Sequence, residues 1–597
     1  MKRKLLYIGI PLALLLGWFL YQQFGPTPTL KLGKSTTYIT EPLAEDGLPD
    51  YAAVIFAKQR EGVTPENNGA VPFWRAMGPQ DYNNMEQSMF QLACDEIGLE
   101  NLDTGAFLVP AYTDDQIYTD FGYVAPEVPD GEYGYADDMA ASDKQPSAIT
   151  KDSIQALIEY AKERPWTAEQ YPPLASWVKR NNQALDLLVE AGKRPEFYSP
   201  SPSFLNEPNP ALLSLWLTSS QVGRSASREL NLRGMLHLGE GRVELAWQDF
   251  FAIMQLGNHI ARGDTCVEKL IGIAMRDVAM SCLDDVLNSE QLTEQLARKI
   301  LSDLQSLPMR VDMAGAIDRG ERFMFLDSAL RVTCGRFGER VSINSLSFSS
   351  RVPSQLERLA WKGPIDATPS LKLGNRWYNR LANAARITDR KNRQAKLKEL
   401  DNEMQSLGNG KEPSLFSIFA SESVRSQQTS EKLVSLFLPA LPSLMVAEDR
   451  LQANLELHRI ATALAVYHLE QGSYPKKLET LAPTIMGSVP NDLFANQPYR
   501  YDLRDDGYLL YSIGKNEIDD NATDNDGIVR NSLSWRVING EWTQVPKVES
   551  PERNSYSDGA YGEDYEAPSV ESDLPEGDDL VIRMPLPKVE WPTLPQE

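Results

Sequence analysis

The chain reads as a mainly α protein: an N-terminal transmembrane helix, a large α-helical domain, a small α+β C-terminal domain and a disordered acidic tail. Three observations predict this. Leu5 to Phe24 form one largely apolar run behind the basic start Met1-Lys2-Arg3-Lys4. From Tyr51 onward, apolar residues recur at helical spacing between turn residues. Alternation typical of strands appears only near Tyr499, and beyond Pro546 the chain turns to Glu, Asp, Pro, Ser and Gly. The divisions fall at 1–24 (spanning helix), 25–50 (linker), 51–443 (helical domain), 444–545 (α+β domain) and 546–597 (acidic, Pro-rich tail).

The bulk properties narrow the function. A chain of 597 residues implies two or more domains, and a 42% hydrophobic share suffices for real cores. The net charge of −24 argues against nucleic acid as a partner and against charge-driven binding to anionic lipid. The four cysteines, Cys94, Cys266, Cys282 and Cys334, form no C-x-x-C or Cys/His cluster, so no zinc site is expected. Cys266 and Cys282 lie in apolar helical pattern. They read as buried free thiols, with a disulfide between them as the alternative.

In chain order, the run Leu5–Phe24 makes roughly 30 Å of helix, enough to cross a bilayer. Trp18, Phe19 and Tyr21 would sit at its far interface. A cleaved signal peptide is the competing reading, but Phe19 to Phe24 offers no small residues for cleavage. The basic start places the remainder on the extracytoplasmic side of a bacterial inner membrane, as a single-pass protein. Pro26, Pro28 and Pro42 mark the linker. Helices are expected over Tyr51–Arg60, Val71–Met77, a segment from Ile154 to Glu163 with Thr150 or Ser153 as its cap, Trp166–Glu190 and Ala211–Leu238. Residues 106–145, rich in Gly, Asp, Tyr and Pro, read as an irregular loop. Cys266–Leu287, Gln291–Leu307, Ile317–Leu330 and the charged Ala395–Leu407 continue the helices.

From Leu444 the pattern is helix, turn, strands and acidic loop. Leu451, Leu455, Ala461, Leu464 and Ala465 define an apolar helical face, and Gly472 with Pro475 ends the helix. Tyr499, Tyr501 and Leu503 alternate with polar neighbours, Asp506-Gly507 supplies a hairpin turn, and Tyr508–Ile513 returns. Asn539-Gly540 marks a second hairpin. In the tail, Ile582, Met584, Leu586, Val589 and Trp591 form a candidate docking segment.

Three phrases of this region, Gly472-Ser473-Tyr474-Pro475, the stretch from Pro490-Asn491-Asp492 to Tyr499-Arg500-Tyr501, and Tyr511-Ser512-Ile513-Gly514 with its acidic loop, resemble the periplasmic domain of type II secretion G-type (major) pseudopilins. The likeness covers about a sixth of the chain. It departs from the family in its interior position and in lacking a continuous apolar helix, since Pro439 and Pro442 interrupt Leu433–Met445. It implies a pseudopilin-like α+β fold and calcium in the 512–527 loop. Asp519, Asp520, Asp524 and Asp526 would be ligands, with carbonyls near Ser512 and Ile518. The spacing is not that of an EF-hand, because Leu533 would take the bidentate glutamate position. A solvated acidic turn is the competing reading. The phrases GVTPENNGAVPFWRAMG, RPWTAEQYPPLASWV and LDLLVEAGKRPEFYSP resemble large membrane-anchored envelope proteins of planctomycete bacteria, a likeness that brings no activity with it. Gly234, Ala246 and Phe250 fall where a tetratricopeptide hairpin has its small, small and aromatic positions, without a second copy; an ordinary helical hairpin is the competing reading.

No nucleophile elbow, Walker loop or dinucleotide fingerprint occurs, and none of His237, His259, His458 and His468 lies in a metalloprotease motif. His237 and His259 fall on opposite arms of one hairpin. Asp318, Arg319, Glu321, Arg322 and Asp327 share a helix; an ion-pair network is expected, with paired acid–base carboxylates as the alternative. The function expected is therefore non-enzymatic: a membrane-anchored envelope scaffold or interaction protein. Its partners would be the membrane and envelope proteins, including components of a secretion or pilus-like system. The alternative is an extracytoplasmic enzyme with its site in a cleft of the helical domain.

Overall fold

The computed structural model describes residues 29–79, 87–99, 107–123, 149–206, 210–214, 218–334, 365–408, 421–438, 441–505, 507–520, 535–538, 541–544 and 579–586, with Gly17, Tyr21 and Ala522. The helices are α1 (Tyr51–Arg60), α2 (Ala70–Met77), α3 (Gln87–Glu96), α4 (Asp115–Asp120), α5 (Lys151–Glu163), α6 (Pro172–Lys193), α7 (Pro202–Asn206), α8 (Thr218–Gly239), α9 (Val243–Ile260), α10 (Cys266–Leu287), α11 (Glu294–Ser306), α12 (Met313–Ala316), α13 (Arg322–Cys334), α14 (Ala367–Ala385), α15 (Arg390–Gly408), α16 (Glu422–Phe437) and α17 (Leu441–Gln471). A π turn, Ile317–Glu321, leads into α13.

The expected fold class needs correction on its membrane-spanning helix. Among the described residues no helix is long and apolar enough to cross a membrane. Of the run Leu5–Phe24 only Gly17 and Tyr21 are described. Length alone is not the obstacle. The 31-residue α17 carries Glu448, Asp449, Arg450, Glu456 and Arg459 along its course, each costly in hydrocarbon. The described protein is mainly helical with a small strand portion.

Local chemistry explains the boundaries. Thr150 and Ser153 together form a capping box on α5. Helix α6 starts at Pro172 rather than Trp166, with proline in its first turn where no amide hydrogen is needed. Part of the expected loop 106–145 is ordered as a 3₁₀ turn, Ala111–Thr113, followed by α4. The hairpin α8–α9 packs as its small residues suggest: a Cβ on Gly234 would lie 2.4 Å from the Phe250 ring. Helix α10 spans Cys266–Leu287 as expected, and Cys266 and Cys282 are both buried thiols rather than a disulfide.

Among the described residues the strands form three small antiparallel sheets. β1 (Asn491–Asp492) pairs β2 (Gln497–Pro498), and β5 (Trp535–Ile538) pairs β6 (Glu541–Gln544) as the expected second hairpin. β3 (Arg500–Arg504), β4 (Gly507–Ser512) and β7 (Leu580–Met584) form the third, in the order β3-β4-β7. The second correction is here: residues 579–586, within the segment expected to be disordered, belong to this sheet, while 546–578 and 587–597 lie outside the described residues. Leu580, Ile582 and Met584 are buried, so the alternation that flagged a docking segment builds an edge strand opposite Ser512, Leu510 and Tyr508.

Two cores share α17. Met445, Leu451 and Leu455 face the large helical core, whereas Leu457, Ile460, Ala461 and Leu464 pack with Phe494, Tyr508, Leu510, Leu580, Ile582 and Met584. The division at 444 therefore falls inside one continuous helix. Buried polar contacts fix the junction. Glu448 accepts the Val311 and Met313 amides at 3.3 Å and pairs with Arg310. Asp449 pairs with Arg393, and Arg390 lies 3.5 Å from Asp449, pairs with Glu517 and sits over the Phe494 ring. The Tyr499 hydroxyl donates to Glu456 at 2.7 Å. Tyr499→Phe should therefore lower stability by about 1–3 kcal/mol in urea unfolding, because it strips a donor from a buried carboxyl; an unchanged midpoint would show that water replaces the phenol.

Candidate functional site

A concave surface lies beside α1, near the junction of α9 and α10. It has two adjoining parts. One is a polar cleft of about 200 Å³ whose lining includes Lys58, Gln59, Ser220, His259, Asp264 and Glu268. The other is a shallow groove of about 760 Å³ floored by Ala53, Phe56, Ala57, Tyr198 and Phe204. Lys58 and Glu61 border both.

The polar cleft is organised by the start of α10. Thr265 caps the helix, with its hydroxyl accepting the Glu268 amide at 3.1 Å and its own amide donating to Glu268 at 2.9 Å. The Cys266 amide donates to Glu321 at 2.9 Å. Asp264, 3% exposed, takes Arg319 at 3.0 Å, Gln59 at 3.5 Å and Lys58 at 3.8 Å. The π turn delivers Glu321. It passes so close to Asp264 that a Cβ on Gly320 would stand 2.0 Å from the Asp264 carbonyl oxygen. Three carboxylates thus meet the positive end of one helix, the arrangement its dipole favours. Burial raises the Glu268 and Glu321 carboxyls, opposed by these hydrogen bonds, and lifts the Cys266 thiol well above its usual range.

His259 lines the same cleft. Its Nε2 lies 3.3 Å from the Gly192 carbonyl, and its ring stacks on Phe197 with centroids 5.5 Å apart. Burial, helped by Arg262, holds it neutral down to about 4. His237 makes different contacts: its Nδ1 accepts from Arg242 at 3.1 Å, and Asp249 lies 3.9 Å from its Nε2. The hairpin therefore assigns the two histidines separate roles. The charged set on α13 and its π turn is spent on structure: Asp318 pairs with Arg322 and Arg386, and Asp327 pairs with Arg331 while accepting the Leu212 amide at 3.0 Å.

The groove has the opposite character. Phe56 and Phe204 stack with centroids 4.2 Å apart, and Ala57 is exposed between the charged side chains of α1. Arg60 and Glu96 pair at 2.5 Å on its rim. An apolar floor inside a charged rim is how protein-binding surfaces are commonly built.

The expected calcium ligands are only partly brought together. Asp519 faces Arg500 at 3.3 Å and accepts from the Tyr511 hydroxyl at 3.1 Å. Asp520 accepts from Asn516 at 2.8 Å. Asp524 and Asp526 lie outside the described residues. Among the described residues no group of three or more His, Cys, Asp and Glu is arranged to hold a metal ion. The sequence reading missed two carboxylates that organise this loop. Asp492 accepts from the Ser512 hydroxyl, the Phe494 amide and the Ile513 amide. Asp579 accepts the Ala522 amide at 2.7 Å and the Asp520 amide at 3.4 Å. The alternation around Ile582 was the signal that could have drawn Asp579 into the domain.

Two buried groups predict opposite pH dependences. The folded-state pKa of His259 lies below its unfolded value, so its contribution is present above about 6.5 and lost as pH falls through about 4. His259→Gln should remove up to about 2–3 kcal/mol of that acid sensitivity, read from urea midpoints at pH 7 and pH 4. Glu229 on α8 is wholly buried, and desolvation lifts its carboxyl to about 7 against the pull of Lys162. Its contribution is present below about 4.5 and lost as pH rises through 7. Glu229→Gln should leave stability at pH 5 nearly unchanged and raise it at pH 8 by about 2–3 kcal/mol; equal midpoints for the two proteins at pH 8 would refute the assignment.

No family model matches the chain, and comparison with curated proteins and with solved structures found no match.

Proposed function

We propose that the protein is a non-enzymatic scaffold or interaction protein of the bacterial envelope, and that the groove beside α1 is a contact face for an envelope protein. The observation that carries this reading is the pairing of Phe56 and Phe204 on an open apolar floor, with Lys58, Arg60, Glu61 and Glu96 around it. The partner's side of such a contact is an apolar or aromatic segment flanked by charge. The adjoining cleft supports the same reading, because its acids and bases cap α10, pair with one another or bond to backbone. The pseudopilin-like phrases near residues 472 and 511 make a secretion or pilus-like system the setting in which to look first.

The full chain, cross-linked in cells and isolated, is the material for the test. Ala57→Arg places a long charged side chain over the groove from an exposed position, so the melting temperature should stay within about 2 °C of the unmodified protein. Envelope proteins captured by the unmodified chain should be lost from the variant. Recovery of the same partners in the same amounts by both chains would remove the groove from consideration.

A further inference from the structure

Helix α15 opens with charge of the wrong sign for a helix start. Arg390 and Arg393 stand in its first turn, at the end whose dipole disfavours cations. Both side chains are buried, 3% and 2% exposed. Arg393 is fully engaged on one side: it pairs with Asp449 and donates to the Ile387 carbonyl at 2.9 Å. Arg390 is served less well. Its guanidinium carbon lies 4.5 Å from the centre of the Phe494 ring, and its Nη1 donates to Glu517. Its Nε stands 3.5 Å from Asp449 without forming a hydrogen bond, and among the described residues its Nη2 has no partner. An arginine fork is built to give two parallel bonds to one carboxylate or phosphate. Here half of a deeply covered fork is idle.

Glu517 is an imperfect occupant of that fork. It meets Arg390 through one oxygen, and its side chain is 37% exposed, so the pair runs from the interior to the surface. Its backbone sits at φ +59°, a conformation that side chains adopt at a cost. The turn at 514–517 holds its form through its own contacts. The Glu517 amide donates to the Gly514 carbonyl at 3.3 Å, and Asn516 accepts the Ile518 amide at 2.9 Å and donates to Asp520 at 2.8 Å. Withdrawal of Glu517 would leave two buried arginines facing the single charge of Asp449 at the positive end of a 19-residue helix. We propose that the start of α15 is a seat for a small phosphate, and that Glu517 is its built-in stopper. The ligand class follows from the donors: a phosphate presents several oxygens at the spacing of the fork, so it takes Nη1 and Nη2 together where Glu517 takes one. Phosphate and the Glu517 carboxylate therefore compete for Arg390. None of these residues lines the groove beside α1, and the two sites are independent.

The test is calorimetric titration of the full chain with inorganic phosphate at neutral pH, with ionic strength held by sodium chloride. Glu517→Gly removes the stopper, and glycine suits the positive φ, so the fold is not put at risk. This variant should bind phosphate at least about tenfold more tightly than the unmodified chain, the worth of one charge-assisted contact. Methyl phosphate in the same titration separates the two sources of the ligand: tighter binding than inorganic phosphate assigns the seat to a monoester, and weaker binding assigns it to the free anion. Arg390→Lys added to Glu517→Gly keeps the charge beside Asp449 but loses the fork, and should abolish the gain. Hydrogen exchange of the Glu517→Gly chain locates the site even where the double variant fails to fold: phosphate should slow exchange at residues 389–393. Equal phosphate affinity of the unmodified and Glu517→Gly chains would overturn the stopper. A gain retained in the double variant, or slowed exchange confined to other segments, would overturn the seat.

Discussion

Helix α17 is the constraint on which the rest of the structure depends. It presents Leu451 and Leu455 to one core and Leu457, Ile460 and Leu464 to the other, so neither core closes without it. Its polar residues serve as fixings between the two. Glu448 holds the chain after α11, Asp449 holds α15, and Glu456 receives Tyr499 from the β region. Arg459 reaches the opposite way and donates to the Leu304 and Leu307 carbonyls at the end of α11, where a cation meets the negative end of a helix. A helix so fully used on all sides has no face left to offer lipid.

The same economy governs the surface beside α1. The start of α10 draws Asp264, Glu268 and Glu321 together, and each is engaged by a backbone amide or a basic side chain. Charge density in a cleft is often a sign of catalysis, because shifted pKa values cluster where reactions happen. Here the shifts have nearer causes: burial raises the carboxyls, and the hydrogen bonds of a helix cap oppose it. The apolar floor next door has no such internal explanation. Phe56 is buried against Phe204, and it is the half-buried Phe204 with the exposed Ala57 that leaves apolar surface at the groove.

Much of the helical order was legible in the sequence, for identifiable reasons. Thr150 with Ser153, the run Cys266–Leu287 and the small-residue contact of Gly234 with Phe250 are local signals, and they mark the elements they suggested. Helices α3, α14 and α16 escaped notice; in α16 the buried stripe carries polar residues, Ser426, Thr429 and Ser430, which bond to their own helix or to Ser370, whereas α14 has a clear apolar face of Leu371, Trp377, Tyr378 and Leu381 that the sequence reading passed over. The strand β7 was legible as a docking segment but not as part of a sheet, because its partner lies far upstream. The candidate site was hardly legible at all. The groove joins α1 to Glu96, Tyr198 and Phe204, and the cleft joins Asp264 to Arg319, pairings that no local spacing encodes.

The reach from β4 to β7 also orders the assembly of the C-terminal domain in time. During synthesis α17, β3 and β4 emerge and meet first, and for that interval Tyr508, Leu510 and the facing side of α17 lack the cover that Ile582 and Met584 later supply. Contacts so distant in sequence form late and slowly, and an unpaired strand edge is the kind of surface on which nascent chains associate. The acidic residues between Glu549 and Asp579 reach the growing chain in the same interval. Their mutual charge repulsion would hold neighbouring nascent chains apart until the last strand is in place.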